Sequence, residues 1–269
     1  MDRKRAIITL TTDFGGRDSY VAEIKGEILR RNPDVVLVDI SHEVPPHDVL
    51  HASLLVWRSY RHFPLETIHV CVVDPEVGTS RKLLLVRSEK YFFLAPDNGL
   101  LTPLLNHSRK ALCYEVSPDR SRTDPPSTTF HGRDLLAPCA ASLSLGIPPG
   151  RLGKRTHSFV SLPKWRVISS SSHLRGCVLT RDHFGNVITN IQKADYLRFK
   201  EKGKGKAVWI RVGRHLIYSL SETYGETPGK LSALFGSSNL LEFAVYQGNA
   251  AKQFSLTPHT PVSFLYGQN

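Results

Sequence analysis

Three side chains in this sequence are of the types that can handle a water nucleophile. Asp74 and Arg81 lie on one glycine-containing loop, VVDPEVGTSRK, and His131 follows in the segment TFHGRD. Arginine stays protonated and can orient a developing hydroxide, whereas histidine or aspartate can accept the proton of the water. A structural salt bridge with a capping histidine explains the same spacing equally well. The residues alone therefore leave a hydrolytic site and a structural ion pair as two open interpretations.

A kinase-like tripeptide, Asp13-Phe14-Gly15, lies in the segment TTDFGGRDSY. In protein kinases this tripeptide holds magnesium over ATP, and a glycine-rich loop and a catalytic His-Arg-Asp precede it. Here too few residues precede the tripeptide to form a nucleotide lobe, and the nearest similar segment, HGRD at 131–134, lies downstream. This order argues against a kinase, so Asp13 needs another role.

A histidine-rich segment, SHEVPPHDVLH, places His47 and His51 four residues apart at a predicted helix start. That spacing can bind zinc, but the segment lacks the H-E-x-x-H arrangement and its prolines hold the loop away from regular ligand geometry. The four cysteines are scattered without C-x-x-C spacing, which favours reduced structural thiols over a zinc site or a disulfide framework. We therefore expect no metal site.

Two later segments contain residue types that suit a nucleoside. In RDHFGNVITN, Asn186 can bond both donor and acceptor edges of a purine, and Phe184 can stack on one. A plain β-turn explains the same residues. The segment GSSNLLEF at 236–243 is equally ambiguous when taken by itself.

The elements that must position these residues alternate between strand and helix in the first half of the chain. This order predicts a layered α/β domain with a largely parallel sheet, in which ligands lie beyond the carboxyl ends of the strands. Polar loops that begin at Asp13, His42 and Asp74 each follow a predicted strand, so they converge on one edge of the sheet. The strand-like runs are AIITLTT, VVLVDIS (a buried strand), TIHVCVVD, KLLLVRS and KYFFLAP, and the helical runs are SYVAEIKGEILRRNP and DVLHASLLVWRSYRHF.

From about Ser161 the sequence changes to short strand-like pieces separated by glycine, asparagine and proline turns. This pattern predicts a smaller antiparallel β-barrel-like domain. We expect an N-terminal α/β domain at 1–165 and a C-terminal β-barrel domain at 173–269. The basic run KEKGKGK at 200–206 predicts a solvated hairpin tip rather than a nucleic-acid patch, because no aromatic residues interleave with its lysines.

The composition is that of an ordinary soluble globular protein, with 269 residues, 41% of them hydrophobic and 22% charged. No apolar run approaches the roughly 18 residues that a membrane helix needs, and the N-terminal segment lacks a signal-peptide cleavage site. We expect a cytoplasmic protein with no membrane contact. The net charge of +11 could favour an anionic partner, but it is diffuse, so we expect no nucleic acid.

Taken together, these segments resemble the S-adenosyl-L-methionine (SAM) hydrolase (adenosine-forming) family, also called SAM hydroxide adenosyltransferases, which are relatives of the fluorinating and chlorinating SAM enzymes. The resemblance extends in order over almost the whole chain. The sequence departs from the family pattern at Glu76, where glycine is usual, and at Tyr246, where asparagine is frequent. The matching motifs are TTDFGGRDSYVAEIKG, VDISHEVPPHDV, FPLETIHVCVVDPEVGTSR, APDNGLL, FHGRD, DHFGNVITNI and SSNLLEFAV.

The resemblance implies a role for each loop. Asp13 matches the carboxylate that binds the ribose diol, and Asp74, Arg81 and His131 match the water-activating set. The adenine and methionine contacts match a second group of residues, which lies in the C-terminal domain. In this group Asn186, Phe184 and the backbone near Val245 match the adenine pocket, Asp182 and Ser237 match the methionine end, and Tyr224 and Glu242 fall in matching substrate-binding segments.

The resemblance also implies the reaction and the assembly. Water or hydroxide would attack C5′ of the ribose and release adenosine and L-methionine, with SAM as the substrate and no cofactor. The family assembles as a homotrimer, with the site between the N-terminal domain of one subunit and the C-terminal domain of its neighbour. A SAM-dependent halogenase and a SAM- or adenosine-binding regulatory protein without significant turnover stay open as alternatives. The presence of Asp74, Arg81 and His131 favours water over halide.

Overall fold

The computed structural model describes residues 5–108, 110–118 and 125–267. The chain folds as two compact units that divide between Leu162 and Pro163, called here the first and the second unit. In the described part of the chain, no helix is long and apolar enough to cross a membrane.

The first unit contains a seven-stranded sheet in the order β2-β1-β3-β5-β4-β6-β7. Its strands are β1 (Ile7–Thr12), β2 (Val36–Ser41), β3 (Ile68–Val72), β4 (Leu83–Ser88), β5 (Tyr91–Pro96), β6 (Leu112–Val116) and β7 (Gly153–Thr156). Strands β2, β1, β3 and β5 pair in parallel, and β4, β6 and β7 add antiparallel pairs. The predicted layered α/β architecture is confirmed.

Helices cover this sheet because its strands present apolar residues on both faces. Ile8 and Leu10 of β1 share a buried cluster with Ile24 and Ile28 of one helix and Ala140 of another, whereas a further helix packs against β1, β2 and β3. The helices are α1 (Tyr20–Arg31), α2 (Val49–Ser59), α3 (Thr102–His107), α4 (Ala137–Ser144) and α5 (Pro149–Leu152), with a 3₁₀ turn at Tyr60–His62 and a π-helical turn at Gly132–Leu136.

Strand β2 differs from the prediction of a buried strand. None of its residues is fully buried, and Val36 is exposed. The reason is its position at the edge of the sheet, where β1 is its one partner among the described strands. An apolar run cannot by itself distinguish a central strand from an edge strand, since both need the same β-branched residues.

The second unit is an antiparallel, barrel-like sheet in the order β12-β11-β15-β9-β10-β14-β13, with β8 paired to β9. Its core contains Phe199, Phe243 and Phe264, none of which is exposed. This confirms the predicted β-barrel-like domain. The strands are β8 (Ile168–Ser169), β9 (His173–Arg181), β10 (Val187–Gln192), β11 (Val208–Val212), β12 (His215–Ile217), β13 (Ser232–Phe235), β14 (Leu240–Ala244) and β15 (Pro261–Tyr266).

The expectation of a hairpin tip at 200–206 was wrong. Helix α6 runs over Lys193–Lys202 and takes in the first three residues of that segment. It begins with a capping box, in which the side chain of Asp195 accepts a hydrogen bond from the main-chain N–H of Gln192. Phe199 anchors the helix in the core. A second short helix, α7, covers Ala250–Gln253.

The turn between β9 and β10 is fixed in place by Gly185. This residue has a φ of +87°, and a Cβ added to it would lie 2.2 Å from Cγ of Asn249. The carbonyl of Gly185 also accepts a hydrogen bond from the main-chain N–H of Ala251, at 3.0 Å. Only glycine meets both the positive φ and the close approach, so the turn is held against the start of α7.

Replacement of Gly185 by alanine should therefore destabilise the second unit more than replacement of a glycine that has the same φ and free space. Gly205 is the matched control, because its φ is +88° and no atom lies within 4 Å of an added Cβ. We expect Gly205→Ala to lower the free energy of unfolding by about 1 kcal/mol, and Gly185→Ala by a further ~1–3 kcal/mol from overpacking. Urea denaturation measures both values, and equal losses would contradict the proposed contact with Asn249.

Candidate active site

The loops at the carboxyl ends of β1, β2 and β3 surround a cavity of about 600 Å³ in the first unit. This volume lies in the range of small-molecule sites. The predicted residues Asp13, Asp74 and His131 all line it, together with Phe14, His47 and Phe130. The structure thus brings the aspartate near the N-terminus together with two members of the Asp–Arg–His set.

Asp74, which lines this cavity, forms a buried ion pair with Arg81. Nε of Arg81 donates to both carboxylate oxygens of Asp74, each at 2.9 Å, and Nη2 donates to Oδ2. The side chain of Arg81 is 5% exposed and that of Asp74 is 8% exposed. Because water is largely excluded, the two charges hold each other in one geometry.

His131 accepts a hydrogen bond from the same arginine. Nη2 of Arg81 lies 2.8 Å from Nδ1 of His131, and a guanidinium has donors but no acceptor. Nδ1 therefore has to be the acceptor, which leaves the ring neutral with its proton on Nε2. Burial lowers the pKa of His131 below its usual value, and the positive charge of Arg81 lowers it further. The ring is thus a neutral donor through Nε2–H.

The position of His131 depends on how closely the backbone of the next residue approaches strand β3. A Cβ on the next residue, Gly132, would lie 2.8 Å from Cγ1 of Val72, so glycine lets the π-helical turn pack against the end of β3. Asp134 fixes the incoming segment, because its Oδ2 accepts from the N–H of Ser127 at 2.7 Å and its Oδ1 accepts from Nε of Arg133 at 2.8 Å. The segments that precede and follow His131 in the sequence are therefore both held in place.

The loop after β2 holds Asp13. The main-chain N–H of His47 donates to Oδ2 of Asp13 at 2.9 Å, and His47 adopts a φ of 67° that is uncommon outside glycine. The N–H of Gly15 donates to the carbonyl of His42 at 2.8 Å, and the Nδ1 of His42 is hydrogen-bonded to Oγ1 of Thr12 at 2.8 Å. The SHEVPPHD segment therefore orients the TTDFGG segment.

The zinc alternative for His47 and His51 does not fit this geometry. Asp48 is the N-cap of α2 and accepts from the N–H of His51, so His47 lies outside the helix and shares no helical face with His51. Within residues 5–108, 110–118 and 125–267, no group of three or more His, Cys, Asp or Glu side chains could hold a metal ion.

Several residues near the cavity were missed by the sequence reasoning. The rings of Phe14, Tyr20 and Phe130 contact one another at centroid distances of 5.3 to 5.8 Å and line the cavity. The side chain of Asn98 donates to the carbonyl of Val73 at 2.8 Å and so fixes the backbone just before Asp74. The signal for the phenylalanines was their position next to Asp13 and His131.

Glu76, one of the two departures from the family pattern, lies on the turn that joins Asp74 to Arg81. The residue is exposed, and its main-chain carbonyl accepts from the N–H and the hydroxyl of Thr79 at 3.1 and 2.8 Å. Glu76 therefore contributes to the turn through its backbone.

A second cavity, of about 630 Å³, lies in the second unit. Four of the predicted residues line it, together with Tyr246. These four are Phe184, Asn186, Tyr224 and Val245. Phe184 is 74% exposed and Tyr246 is 45% exposed, so the cavity has aromatic walls that are open to a flat ring.

The remaining predicted residues of this unit lie around the cavity. Asp182 bonds to Asn186 across the β9–β10 turn. Ser237 is exposed in the turn between β13 and β14. Glu242 is 2% exposed and accepts from the hydroxyl of Tyr224 at 2.9 Å. In the described ranges Glu242 is not part of the cavity lining. Its hydrogen bond therefore holds the hydroxyl of Tyr224 from outside the cavity.

The fold and the two cavities define a two-domain protein, with an α/β domain and a barrel-like domain that each contain a ligand-sized cavity. The sequence profile of the SAM hydroxide adenosyltransferase N-terminal domain matches residues 8–153, and that of the SAM hydroxide adenosyltransferase C-terminal domain matches residues 176–263. The chain therefore belongs to the SAM hydroxide adenosyltransferase family.

Individual relatives agree with this assignment. A Thermus thermophilus protein named (R)-S-adenosyl-L-methionine hydrolase is 36% identical over 264 residues, which cover 94% of this chain and 97% of the relative. A fluorinase of Nocardia brasiliensis is 30% identical, with 78% of each chain covered. The crystal structure of an uncharacterized conserved protein from Thermotoga maritima superposes with a TM-score of 0.84 at 34% identity, covering 96% of this chain and 99% of that one.

The tautomer and pKa of His131 can be measured directly. With ¹⁵N-labelled histidine, we expect NMR spectra of the folded protein to show His131 as the neutral Nε2–H tautomer at pH 7. Since its pKa is lowered below 6.5, the ring should stay mostly neutral at pH 6.5, where an ordinary histidine is half protonated. The signal is assigned by its loss in His131→Gln. A midpoint at or above 6.5, or a proton on Nδ1, would contradict the bond from Arg81.

Proposed function

We propose that this protein hydrolyses S-adenosyl-L-methionine to adenosine and L-methionine by attack of water at C5′ of the ribose. One observation carries the proposal: the Asp74–Arg81–His131 cluster and Asp13 lie at one cavity, so a nucleophile-handling set adjoins a carboxylate suited to a diol. The names of the relatives support it, and we extend to this chain the (R) form of SAM that those names specify.

The reaction consumes a cation and releases a proton. Water oxygen forms the bond to C5′ as the C5′–S bond breaks, the electron pair of that bond stays on sulfur, and the sulfonium becomes the neutral thioether of methionine. Because the sulfonium charge disappears as the C5′–S bond breaks, a site that excludes water favours that step. Alignment of the water opposite the leaving sulfur is then the main task of the protein.

The bonds within the cluster assign a different role to each member. Nδ1 of His131 is occupied by Arg81, and Nε2 has a proton, so the neutral histidine can hold the water but cannot accept its proton. Asp74 is the remaining acceptor, and Arg81 fixes its carboxylate. A weakly basic carboxylate is sufficient, because the water oxygen becomes strongly acidic as its bond to carbon forms.

The other predicted contacts complete the proposal. Asp13 would accept from the ribose hydroxyls, since a carboxylate has acceptor oxygens for both. In the second unit, Phe184, Asn186, Tyr224 and Val245 would hold the adenine. Asp182 and Ser237 would bind the methionine end, and Glu242 would hold Tyr224.

We also propose the assembly and location that the resemblance implies. The site would form in a homotrimer, between the first unit of one subunit and the second unit of its neighbour, and no cofactor would be needed. A cytoplasmic location is supported by the cysteines, since Cys71, Cys113, Cys139 and Cys177 are all free and free thiols are typical of reducing compartments.

Incubation with SAM in ¹⁸O-labelled water tests the reaction. Mass spectrometry should find the label in adenosine and none in methionine, because water attacks C5′. Each sulfonium epimer is assayed separately, and the (R) form should be turned over faster. The fluorinase relative defines the competing outcome, a 5′-halo product when halide is added. Unchanged SAM with tight binding would instead support a regulatory protein.

Two substitutions at His131 separate a donor from a base. A glutamine can accept from Arg81 through Oε1 and donate to water through Nε2, but it cannot take up a proton. We expect His131→Gln to retain kcat within about tenfold of the native protein, and His131→Ala to lose roughly 10²–10³-fold, the usual range for removal of one hydrogen-bond donor from an active site.

Asp74→Asn is the matched comparison in the same assay, because it keeps the shape of the side chain and removes the proton acceptor. We expect a kcat as low as that of His131→Ala, with the fold checked by circular dichroism. If His131→Gln were as inactive as His131→Ala while Asp74→Asn stayed active, the roles of the two residues would be reversed.

A further inference from the structure

The β9–β10 turn contains a pair of side chains bonded to each other at the edge of the second cavity. The main-chain N–H of Asn186 donates to Oδ1 of Asp182 at 2.9 Å, and Nδ2 of Asn186 donates to Oδ2 at 3.0 Å. The main-chain N–H of Asp182 donates in return to the carbonyl of Asn186 at 2.9 Å. Asp182 is thus joined to Asn186 by three hydrogen bonds.

These bonds fix which end of the Asn186 amide faces the cavity. A carboxylate accepts hydrogen bonds and cannot donate, so the NH₂ group of Asn186 has to face Asp182. Its carbonyl oxygen, Oδ1, then points to the other side. Of the two residues, the lining of the cavity includes Asn186 and, within the described ranges, not Asp182. Asn186 therefore offers an acceptor whose direction is set by a residue behind it.

We propose that Asp182 is a positioning residue that locks the amide of Asn186 so that the site selects a 6-amino purine over a 6-oxo purine. This rests on the proposed function, in which the cavity holds the base. An amino group at C6 can donate to Oδ1, whereas a carbonyl at C6 brings two acceptors together. The second proton of the amide can reach N7, which is present in both bases and does not discriminate between them.

The aromatic walls of the cavity cannot make this distinction, and the amides of Gln247 and Asn249, which also line the cavity, are not joined to Asp182 as Asn186 is. Phe184, Tyr224 and Tyr246 supply ring faces, and stacking tolerates any base because every base has a π-face. The turn itself cannot shift to relieve a mismatch, because Gly185 is in contact with Asn249 and is bonded to Ala251. A site whose polar group is fixed in this way rejects the wrong partner more strongly than an apolar wall does.

The test compares two ligand pairs that differ at C6 alone. Calorimetry measures binding of adenosine and inosine without turnover, and kinetics compare SAM with its 6-oxo analogue. We expect the native protein to prefer the amino form by at least about tenfold, because the carbonyl oxygen of Asn186 would otherwise face a second acceptor. Asp182→Asn should reduce this ratio to within about threefold, since an asparagine at 182 can also donate and lets the Asn186 amide turn over.

The ratio separates this role from any contact of Asp182 with the methionine end, because that end is the same in both substrates. Glu201→Gln is the control for charge, since Glu201 is exposed on α6, and it should leave the ratio unchanged. Asn186→Ala should abolish the preference without involving Asp182.

Two results would overturn the proposal: equal binding of adenosine and inosine to the native protein, or an unchanged ratio in a folded Asp182→Asn variant, even if both ligands bind more weakly. The proposed function fails separately. A protein that prefers adenosine over inosine, loses that preference in Asp182→Asn and leaves SAM intact would keep the role of Asp182 and refute the hydrolase.

Discussion

A buried guanidinium determines the state of the groups around it. Arg81 is 5% exposed and donates to the carboxylate of Asp74 and to Nδ1 of His131. Because arginine keeps its proton in proteins, the carboxylate balances a charge that water cannot reach, and the histidine has to remain neutral to accept. The tautomer of His131, and with it the ring nitrogen that can donate, follows from this one constraint.

The loops around the guanidinium are held by hydrogen bonds and close packing with neighbouring segments. Asn98 fixes the carbonyl before Asp74, His47 donates its main-chain N–H to Asp13, and Gly132 packs directly on Val72. Parallel strands supply the shared edge on which these loops meet, but the final positions depend on single hydrogen bonds. A substitution in one loop should therefore change the position of the site residue on the neighbouring loop.

Periodicity in the sequence was enough to predict the α/β domain, the barrel-like domain and the loops that converge at one edge of the sheet. It could not show that β2 is an edge strand, because an apolar β-branched run suits both positions. Helix α6 was missed because the lysines at its end and the glycines that follow it resemble a loop, while the burial of Phe199 and the capping box decide its structure. The bond from Arg81 to His131 joins residues 50 positions apart, so no local pattern could reveal which nitrogen holds the proton.

The charge of the cluster fits the substrate that we propose. One guanidinium, one carboxylate and one neutral imidazole sum to zero, so a sulfonium cation meets no net repulsion as it enters. A protonated His131 would add a positive charge in a poorly solvated site, where like charges repel strongly, and it would also lose its bond from Arg81. The same arginine that sets the tautomer therefore keeps the net charge of the cluster at zero when the sulfonium binds. On this view, the low pKa of His131 serves binding and alignment together, and proton transfer is left to Asp74.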